Sequence, residues 1–167
     1  ATGYVGGRLV PALLAAGHRV RAVARSLDKL ACRPFAGHPN LELAQADIRD
    51  AAAMRRAADG CRAAYYLVHS MHSAKGDFAA ADREAAGVMA AVAGDAGLSR
   101  IIYLGGLGSQ DDTLSHHLQS RHETARVLAA GSVPVTHLRA AMIIGSGSAS
   151  FEIMRYLVDR LPFMITP

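Results

Sequence analysis

Tryptophan is absent from this chain of 167 residues, and aromatic residues make up only 5% of it. The core must therefore be built mainly from Ala, Val, Leu and Ile, which suits helices on a parallel sheet better than an aromatic-rich sandwich. Lysine is also scarce, so the net charge of +4 is carried almost entirely by arginines scattered along the chain. Scattered cations argue against a nucleic-acid patch, whereas a mild basic excess suits a phosphate ligand.

Cysteine is equally scarce, and Cys32 and Cys61 have neither CxxC spacing nor a metal-ligand pattern, which predicts reduced thiols in a cytoplasmic protein. The histidines lack carboxylates or cysteines in register, so no metal site is expected. No apolar run approaches the roughly 18 residues that a membrane span requires, and no signal-peptide pattern is present. An initiator Met is missing too, and we expect an excerpt cut from a longer protein at both ends.

Strand-like and helix-like segments alternate along the whole chain. The predicted strands lie within 18–25, 63–70, 100–106 and 134–145, and 41–50 is predicted as a short strand that runs into a turn. The predicted helices cover the segment before Gly17, 51–60, 77–97, about 115–130 and 150–161. Most of the strands are continuously apolar, as strands buried on both faces are. This pattern predicts a single α/β domain over residues 1–167, with a doubly wound parallel sheet.

The chain begins with a glycine-rich turn, "ATGYVGG", that leads into the first helix. Gly3 and Gly6 have the spacing of the second and third glycines of a dinucleotide-binding turn, whose first glycine would fall one position before Ala1. In that interpretation Gly3 lets the backbone approach the phosphates, and Gly6 lets the helix pack close to the sheet. Thr2 adds a hydroxyl donor, and Tyr4 and Val5 are also expected to bind the cofactor. The alternative is an N-terminal loop that merely tolerates glycine.

Arg25 and Ser26 follow the next strand, about 20 residues further on, where the nucleotide is selected. An acidic residue at this point accepts the ribose hydroxyls of NAD, whereas an arginine pairs with the 2′-phosphate of NADP. We therefore predict a preference for NADP(H), with NAD(H) possible. The alternative is a solvated arginine at the end of a strand.

Asp47 and Ile48 follow the predicted strand that begins at residue 41. A carboxylate there can accept the adenine amino group while a branched side chain covers the ring. The alternative is a helix cap, for which Asp50 is better placed.

The segment "LVHS" ends the strand that starts at residue 63, at the carboxyl edge where such sheets bind ligands. We expect Leu67 and Val68 to line the cofactor site and His69 and Ser70 to lie near the nicotinamide ribose. The alternative for His69 is a hydrogen-bonded loop residue.

Together, "ATGYVGG", "VRAVARS", "ADIRD", "AYYLVHSM", "RIIYLGGLG" and "VPVTHLRAAMIIG" resemble the short-chain dehydrogenase/reductase superfamily. The resemblance is narrower to its atypical, NmrA-like NAD(P)H-binding branch, often described as epimerase/dehydratase-like, and it covers essentially the whole chain. It implies a Rossmann-type sheet with NAD(P) along the carboxyl edge. The first, central strand of that sheet is missing from the chain, and an apolar strand is expected upstream of Ala1.

The superfamily's catalytic residues are a Ser or Thr after the fifth strand and a Tyr-x-x-x-Lys on the next helix. By the resemblance, the Tyr position falls on His117, the Lys position on Arg121, and the Ser position on Gly105 and Gly106. In one interpretation His117 is a substitute acid/base and Arg121 anchors the ribose or polarises the substrate. In another the site binds the nucleotide without chemistry, and in a third both side chains lie on a solvated helix face.

The expected function is an oxidoreductase of this superfamily with a degenerate triad, acting on an unknown small molecule. The alternative is a non-catalytic regulatory or scaffold protein that senses NADP(H) and binds a protein partner. Residues that select the substrate are expected beyond Pro167.

Overall fold

The computed structural model describes residues 1–69, 78–107 and 116–163, with the side chains of Phe78 and His117 left out. Helices and strands alternate along the chain. They are, in order, α1 (Tyr4–Ala15), β1 (Val20–Ala24), α2 (Asp28–Ala31), β2 (Leu41–Gln45), α3 (Ala51–Ala58), β3 (Ala63–Tyr66), α4 (Phe78–Asp95), β4 (Arg100–Gly106), α5 (His116–Ala129), β5 (Val135–Ala140) and α6 (Ala149–Arg160).

Local signals in the sequence explain where several of these helices begin and end. The Asp50 carboxylate accepts a hydrogen bond from the Ala53 N–H at 3.0 Å and so caps the start of α3. Gly17 and Gly60, which follow α1 and α3, have φ values of +83° and +69°. Glycine adopts this conformation without a steric penalty, so each helix ends there.

The strands form two parallel sheets, β1–β2 and β3–β4–β5. Within the described residues no strand lies between β1 and β3, where the central strand of a Rossmann-type sheet belongs. Ala1 lies beside β1, and its nitrogen donates to the Val23 carbonyl oxygen at 2.9 Å. The predicted α/β fold of Rossmann type, with its first strand missing, is confirmed.

Three details differ from the prediction. The last strand ends at Ala140 instead of residue 145, because its neighbour β4 ends at Gly106, the partner of Ala140. The strand β3 ends at Tyr66, and Tyr65 is 44% exposed although the strand was predicted to be buried. The short helix α2 was not predicted.

The buried residues divide into a larger and a smaller cluster. The larger one joins β3 and β4 to α3, α4 and α5, and includes Ile101, Tyr103 and Leu128. The smaller one consists of Val10, Leu14, Ala22 and Leu30 and joins α1 and α2 to β1. None of the residues of α6 is buried. Among the described helices, none combines the length and apolarity needed to cross a membrane.

Candidate nucleotide-binding site

The glycine-rich turn leaves the beginning of α1 open. Gly3 is the N-cap, with no side chain to bond the first N–H groups of the helix, and the first turn contains no acidic residue. A Cβ atom built on Gly3 would meet nothing within 4 Å. The first N–H groups of a helix lack partners within it and carry partial positive charge, so this end of α1 is suited to a phosphate group.

Gly6 has a different role in the same turn. A Cβ atom at this position would lie 2.8 Å from the Cα atom of Ala1, which is closer than real Cβ contacts. The backbone at the start of the chain therefore passes directly over α1, and only glycine permits this approach. Gly3 provides room for a ligand, whereas Gly6 allows two backbone segments to pack.

A cavity of about 550 Å³, largely open to solvent, lies beside the turn, between Thr2 and the short helix α2. Its lining includes the cations Lys29 and Arg33, together with Asp28 and Cys32. The Arg33 guanidinium donates a hydrogen bond to the carbonyl oxygen of Thr2, which ties the segment after α2 to the turn. Of the predicted cofactor residues that the structure describes, only Thr2 lines this cavity.

Arg25 and Ser26 follow β1 directly, and the side chain of Arg25 is exposed. The Gln45 side-chain amide donates to the Arg25 carbonyl oxygen at 3.0 Å, which fixes the backbone at this point. Asp47 follows β2 and accepts from the Arg49 N–H at 3.0 Å. This bond is the largest cause that lowers the pKa of Asp47, so the carboxylate is charged at neutral pH.

Leu67, Val68 and His69 follow β3, and Val68 packs against the larger cluster. The Nδ1 atom of His69 lies 3.4 Å from a carboxylate oxygen of Asp82 on α4. Ser70, predicted beside it, lies outside the described residues.

Gly105 and Gly106 end β4, and they stand where the resemblance predicts the superfamily's catalytic serine. A Cβ atom on Gly105 would lie 2.2 Å from His137 Nε2 and 2.9 Å from Tyr103 Cε1. A Cβ atom on Gly106 would lie 2.7 Å from the Cδ2 atom of Leu118. Neighbouring side chains occupy the space that a serine would need at either position.

Arg121 lies on α5, next to this glycine pair. Its Cβ and Cγ atoms are 3.7 and 3.6 Å from the Cβ position of Gly106. The hydroxyl of Tyr103 donates to the Arg121 carbonyl oxygen at 3.2 Å, which holds α5 on β4. His117 is one helical turn before Arg121, and its side chain lies outside the described residues.

A profile of the family described as NAD(P)H-binding matches residues 1–156. The chain belongs to this NAD(P)H-binding family. The solved structures that it resembles include two reductases, each in complex with its nucleotide. The triphenylmethane reductase of Citrobacter sp., in complex with NADP(H), has a TM-score of 0.69 and 20% identity over 83% of this chain. The NADPH-dependent quinone oxidoreductase of Escherichia coli, in complex with NADPH, has a TM-score of 0.67 and 25% identity over 83% of this chain.

A third relative of known structure is a dehydratase. The dTDP-glucose 4,6-dehydratase DesIV of Streptomyces venezuelae, solved as a double mutant with NAD bound, has a TM-score of 0.72 and 19% identity over 95% of this chain. The present chain spans 46% of the length of each reductase and 60% of that of the dehydratase. Among curated proteins no match is found.

The structure adds residues to the candidate site that were not predicted from the sequence. Lys29 lies on α2, and Arg33 follows two residues after this helix, which has too few residues to give a periodic signal. Asp82 had a detectable signal, because it lies four residues before Ala86 on the apolar face of α4, where a carboxylate is unexpected. Within the described part of the chain, no group of three or more His, Cys, Asp or Glu side chains is arranged to hold a metal ion.

Proposed function

We propose that this chain is the nucleotide-binding part of an NADPH-dependent oxidoreductase of the short-chain dehydrogenase/reductase superfamily, in its NmrA-like branch, that reduces a carbonyl or quinone. The observation that carries this proposal is the open N-terminus of α1 beside a cavity lined by Lys29 and Arg33. This arrangement suits a ligand with several phosphates. The two reductase structures, which contain NADP(H) and NADPH, support the same choice of nucleotide.

In this proposal Arg25 and Ser26 bind the 2′-phosphate, and Lys29 and Arg33 add positive charge nearby. A guanidinium forms paired hydrogen bonds to phosphate oxygens, and a hydroxyl donates one more. Asp47 accepts the adenine amino group. NAD(H) remains a weaker ligand, because the acidic residue that binds its ribose hydroxyls is missing at position 25.

The remaining cofactor residues are assigned by their elements. Thr2, Gly3, Tyr4, Val5 and Gly6 surround the pyrophosphate at the start of α1. Two further groups lie at strand ends: Ile48 covers the adenine ring, and Leu67, Val68, His69 and Ser70 line the nicotinamide end.

The bound nicotinamide ring would supply a hydride to the substrate carbon. The chain must then deliver one proton to the substrate oxygen, and His117 is proposed as its donor because a histidine titrates near neutral pH. Arg121 is proposed to bind the ribose hydroxyls or to polarise that oxygen. Arginine stays charged throughout, so it cannot itself be the proton donor.

A second candidate function is a non-catalytic NADP(H)-binding regulator with a protein partner. One observation favours it: His137 and Leu118 fill the space that the superfamily's catalytic serine would need at Gly105 and Gly106. We retain the oxidoreductase as the first proposal because the reductase relatives favour it. The free thiols of Cys32 and Cys61 are the reason for proposing a cytoplasmic location.

Calorimetry of the intact protein with all four nicotinamide nucleotides tests the nucleotide assignment. Arg25→Ala is expected to weaken NADPH binding about tenfold or more and NADH binding much less, because only NADPH has the 2′-phosphate. Arg160→Ala, an exposed arginine on α6, is the matched control. Equal losses for both nucleotides would refute the 2′-phosphate assignment.

Turnover measurements with quinone and carbonyl substrates separate the two candidate functions. The oxidoreductase predicts NADPH consumption that His117→Ala slows by about a hundredfold. The regulator predicts tight NADPH binding without turnover, and a partner protein whose affinity depends on the nucleotide. Unchanged turnover in His117→Ala would remove this residue as the proton donor.

A further inference from the structure

The carboxylate of Asp82 is 4% exposed, although carboxylates are rarely buried without partners. One of its oxygens lies 3.4 Å from His69 Nδ1 and accepts a hydrogen bond from the Ser120 hydroxyl at 3.3 Å. Ser120 is also buried, and the His69 side chain is only 15% exposed. A single buried oxygen therefore joins three elements, namely the segment after β3, helix α4 and helix α5.

Two buried phenols lie close to this cluster. Tyr66 and Tyr103 are buried nearby, and burial, with a smaller contribution from the charge of Asp82, raises the pKa of both phenols. Arg121 acts in the opposite direction on both phenols. The phenols therefore stay protonated at neutral pH, and the imidazole is the group that can direct an N–H at the carboxylate.

We propose that Asp82 is a positioning residue for the reduction: it fixes His69 with the proton on Nδ1 and holds the turn of α5 that carries Arg121. This inference rests on the proposed function, in which His69 and Arg121 border the nicotinamide from β3 and α5. Because the same oxygen contacts His69 and Ser120, a change at Asp82 alters both sides of the site at once. A carboxylate that orients a histidine fixes which ring nitrogen carries the proton.

The tautomer of His69 tests the proposal without any nucleotide or substrate. In the intact protein at alkaline pH, NMR of the two ring nitrogens is expected to show the proton on Nδ1. Asp82→Asn has nearly the same shape, and its side-chain amide can donate to Nδ1, so the proton should move to Nε2. Asp95→Asn is the matched control, because Asp95 lies on the same helix in an exposed pair with Arg55 and should leave His69 unchanged.

The measurement on the unmodified protein needs no variant to fold, and a His69 protonated on Nε2 there would overturn the proposal. An unchanged tautomer in folded Asp82→Asn would also overturn it. Ser120→Ala is a milder variant, which is expected to keep the proton on Nδ1 while loosening the carboxylate.

Kinetics then test the role of this arrangement in the reduction. Asp82→Asn is expected to lower kcat by about tenfold or more with little change in KM, since small misplacements of reacting groups are costly. An altered tautomer with unchanged kcat would overturn the positioning role. If the unmodified protein shows no turnover, the proposed function fails. In that case the His69 tautomer and the NADPH affinity of Asp82→Asn test only whether Asp82 positions His69 and α5. If neither changes in this variant, that positioning role is overturned.

Discussion

The two ends of the candidate site, the glycine turn and the region where β3 and β4 end, are built in different ways. The glycine turn is shaped by the main chain: Gly3 leaves open space, and Gly6 lets the Ala1 backbone pass so close that a Cβ atom at Gly6 would lie 2.8 Å from the Ala1 Cα atom. At the other end side chains fill the space, since His137 and Leu118 pack over Gly105 and Gly106. The kind of ligand that fits the open end follows from its backbone N–H groups. The kind of ligand that fits the filled end depends on the side chains that surround it.

The same contrast extends to the cores beneath the two ends. The smaller cluster, which supports the turn, includes Leu30, and the larger cluster, under β3 and β4, includes Leu128; both leucines are fully buried. When a side chain with few neighbours is removed, those neighbours can move into the space that it occupied. A residue inside a larger packed layer leaves a cavity.

Replacement of the two buried leucines should have the largest effect. Leu128→Ala is expected to lower the free energy of unfolding by about 4 kcal/mol, and Leu30→Ala by about 2 kcal/mol, because the smaller cluster can relax. Denaturant unfolding of the intact protein measures both. If Leu30→Ala costs as much as Leu128→Ala, the two cores do not differ as described.

The glycine turn allows a comparison between two substitutions three residues apart. Gly6→Ala is expected to lower the free energy of unfolding by about 1–3 kcal/mol, because its Cβ would collide with backbone atoms of Ala1. Gly3→Ala has open space and should cost much less. Unfolding measurements paired with NADPH calorimetry distinguish their roles.

Both substitutions should weaken NADPH binding, but for different reasons. In Gly6→Ala the turn itself is displaced, and in Gly3→Ala the new methyl group lies where a phosphate would approach. Full NADPH affinity in Gly3→Ala would contradict the location of the phosphate.

Alanine substitutions at the filled end of the site are expected to lower the free energy of unfolding by smaller amounts, which differ between the two glycines. Gly105→Ala should cost about 1–2 kcal/mol, because the rigid rings of His137 and Tyr103 must move. Gly106→Ala should cost less, since only the end of the flexible Leu118 side chain is in the way. Thermal unfolding of both variants checks the order, and a larger loss at Gly106 would show that the packing is misassigned.

The contrast also explains which features were predictable from the sequence. The alternation of helices and strands and the spacing of Gly3, Gly6 and Arg25 are local patterns, so the fold could be recognised and a phosphate-binding turn predicted. The end of β5 depends on where its neighbour ends. Asp82 and Ser120 are 38 residues apart in sequence, and their contact follows only from the packing of α4 on α5.

His137 should make the filled end sensitive to pH, which is the smallest effect expected. Burial, with smaller contributions from His122 and Arg139, lowers the pKa of His137, whose ring stacks on Tyr103 at 5.0 Å. The unfolded chain therefore binds this proton more readily than the folded one. The stability that depends on neutral His137 is present above the ordinary histidine pKa of about 6.5 and is lost as the pH falls below it.

His137→Gln should remove that part of the pH dependence while also lowering stability at every pH through the lost ring contact. Denaturant unfolding at a series of pH values measures both effects. The variant's curve should lie below that of the unmodified protein at neutral pH and approach it in acid, because only the unmodified protein loses the contribution of a neutral histidine. Curves that stay parallel across this range would mean that His137 titrates alike in the folded and unfolded chains, and the packed end would then have no pH sensitivity from this residue.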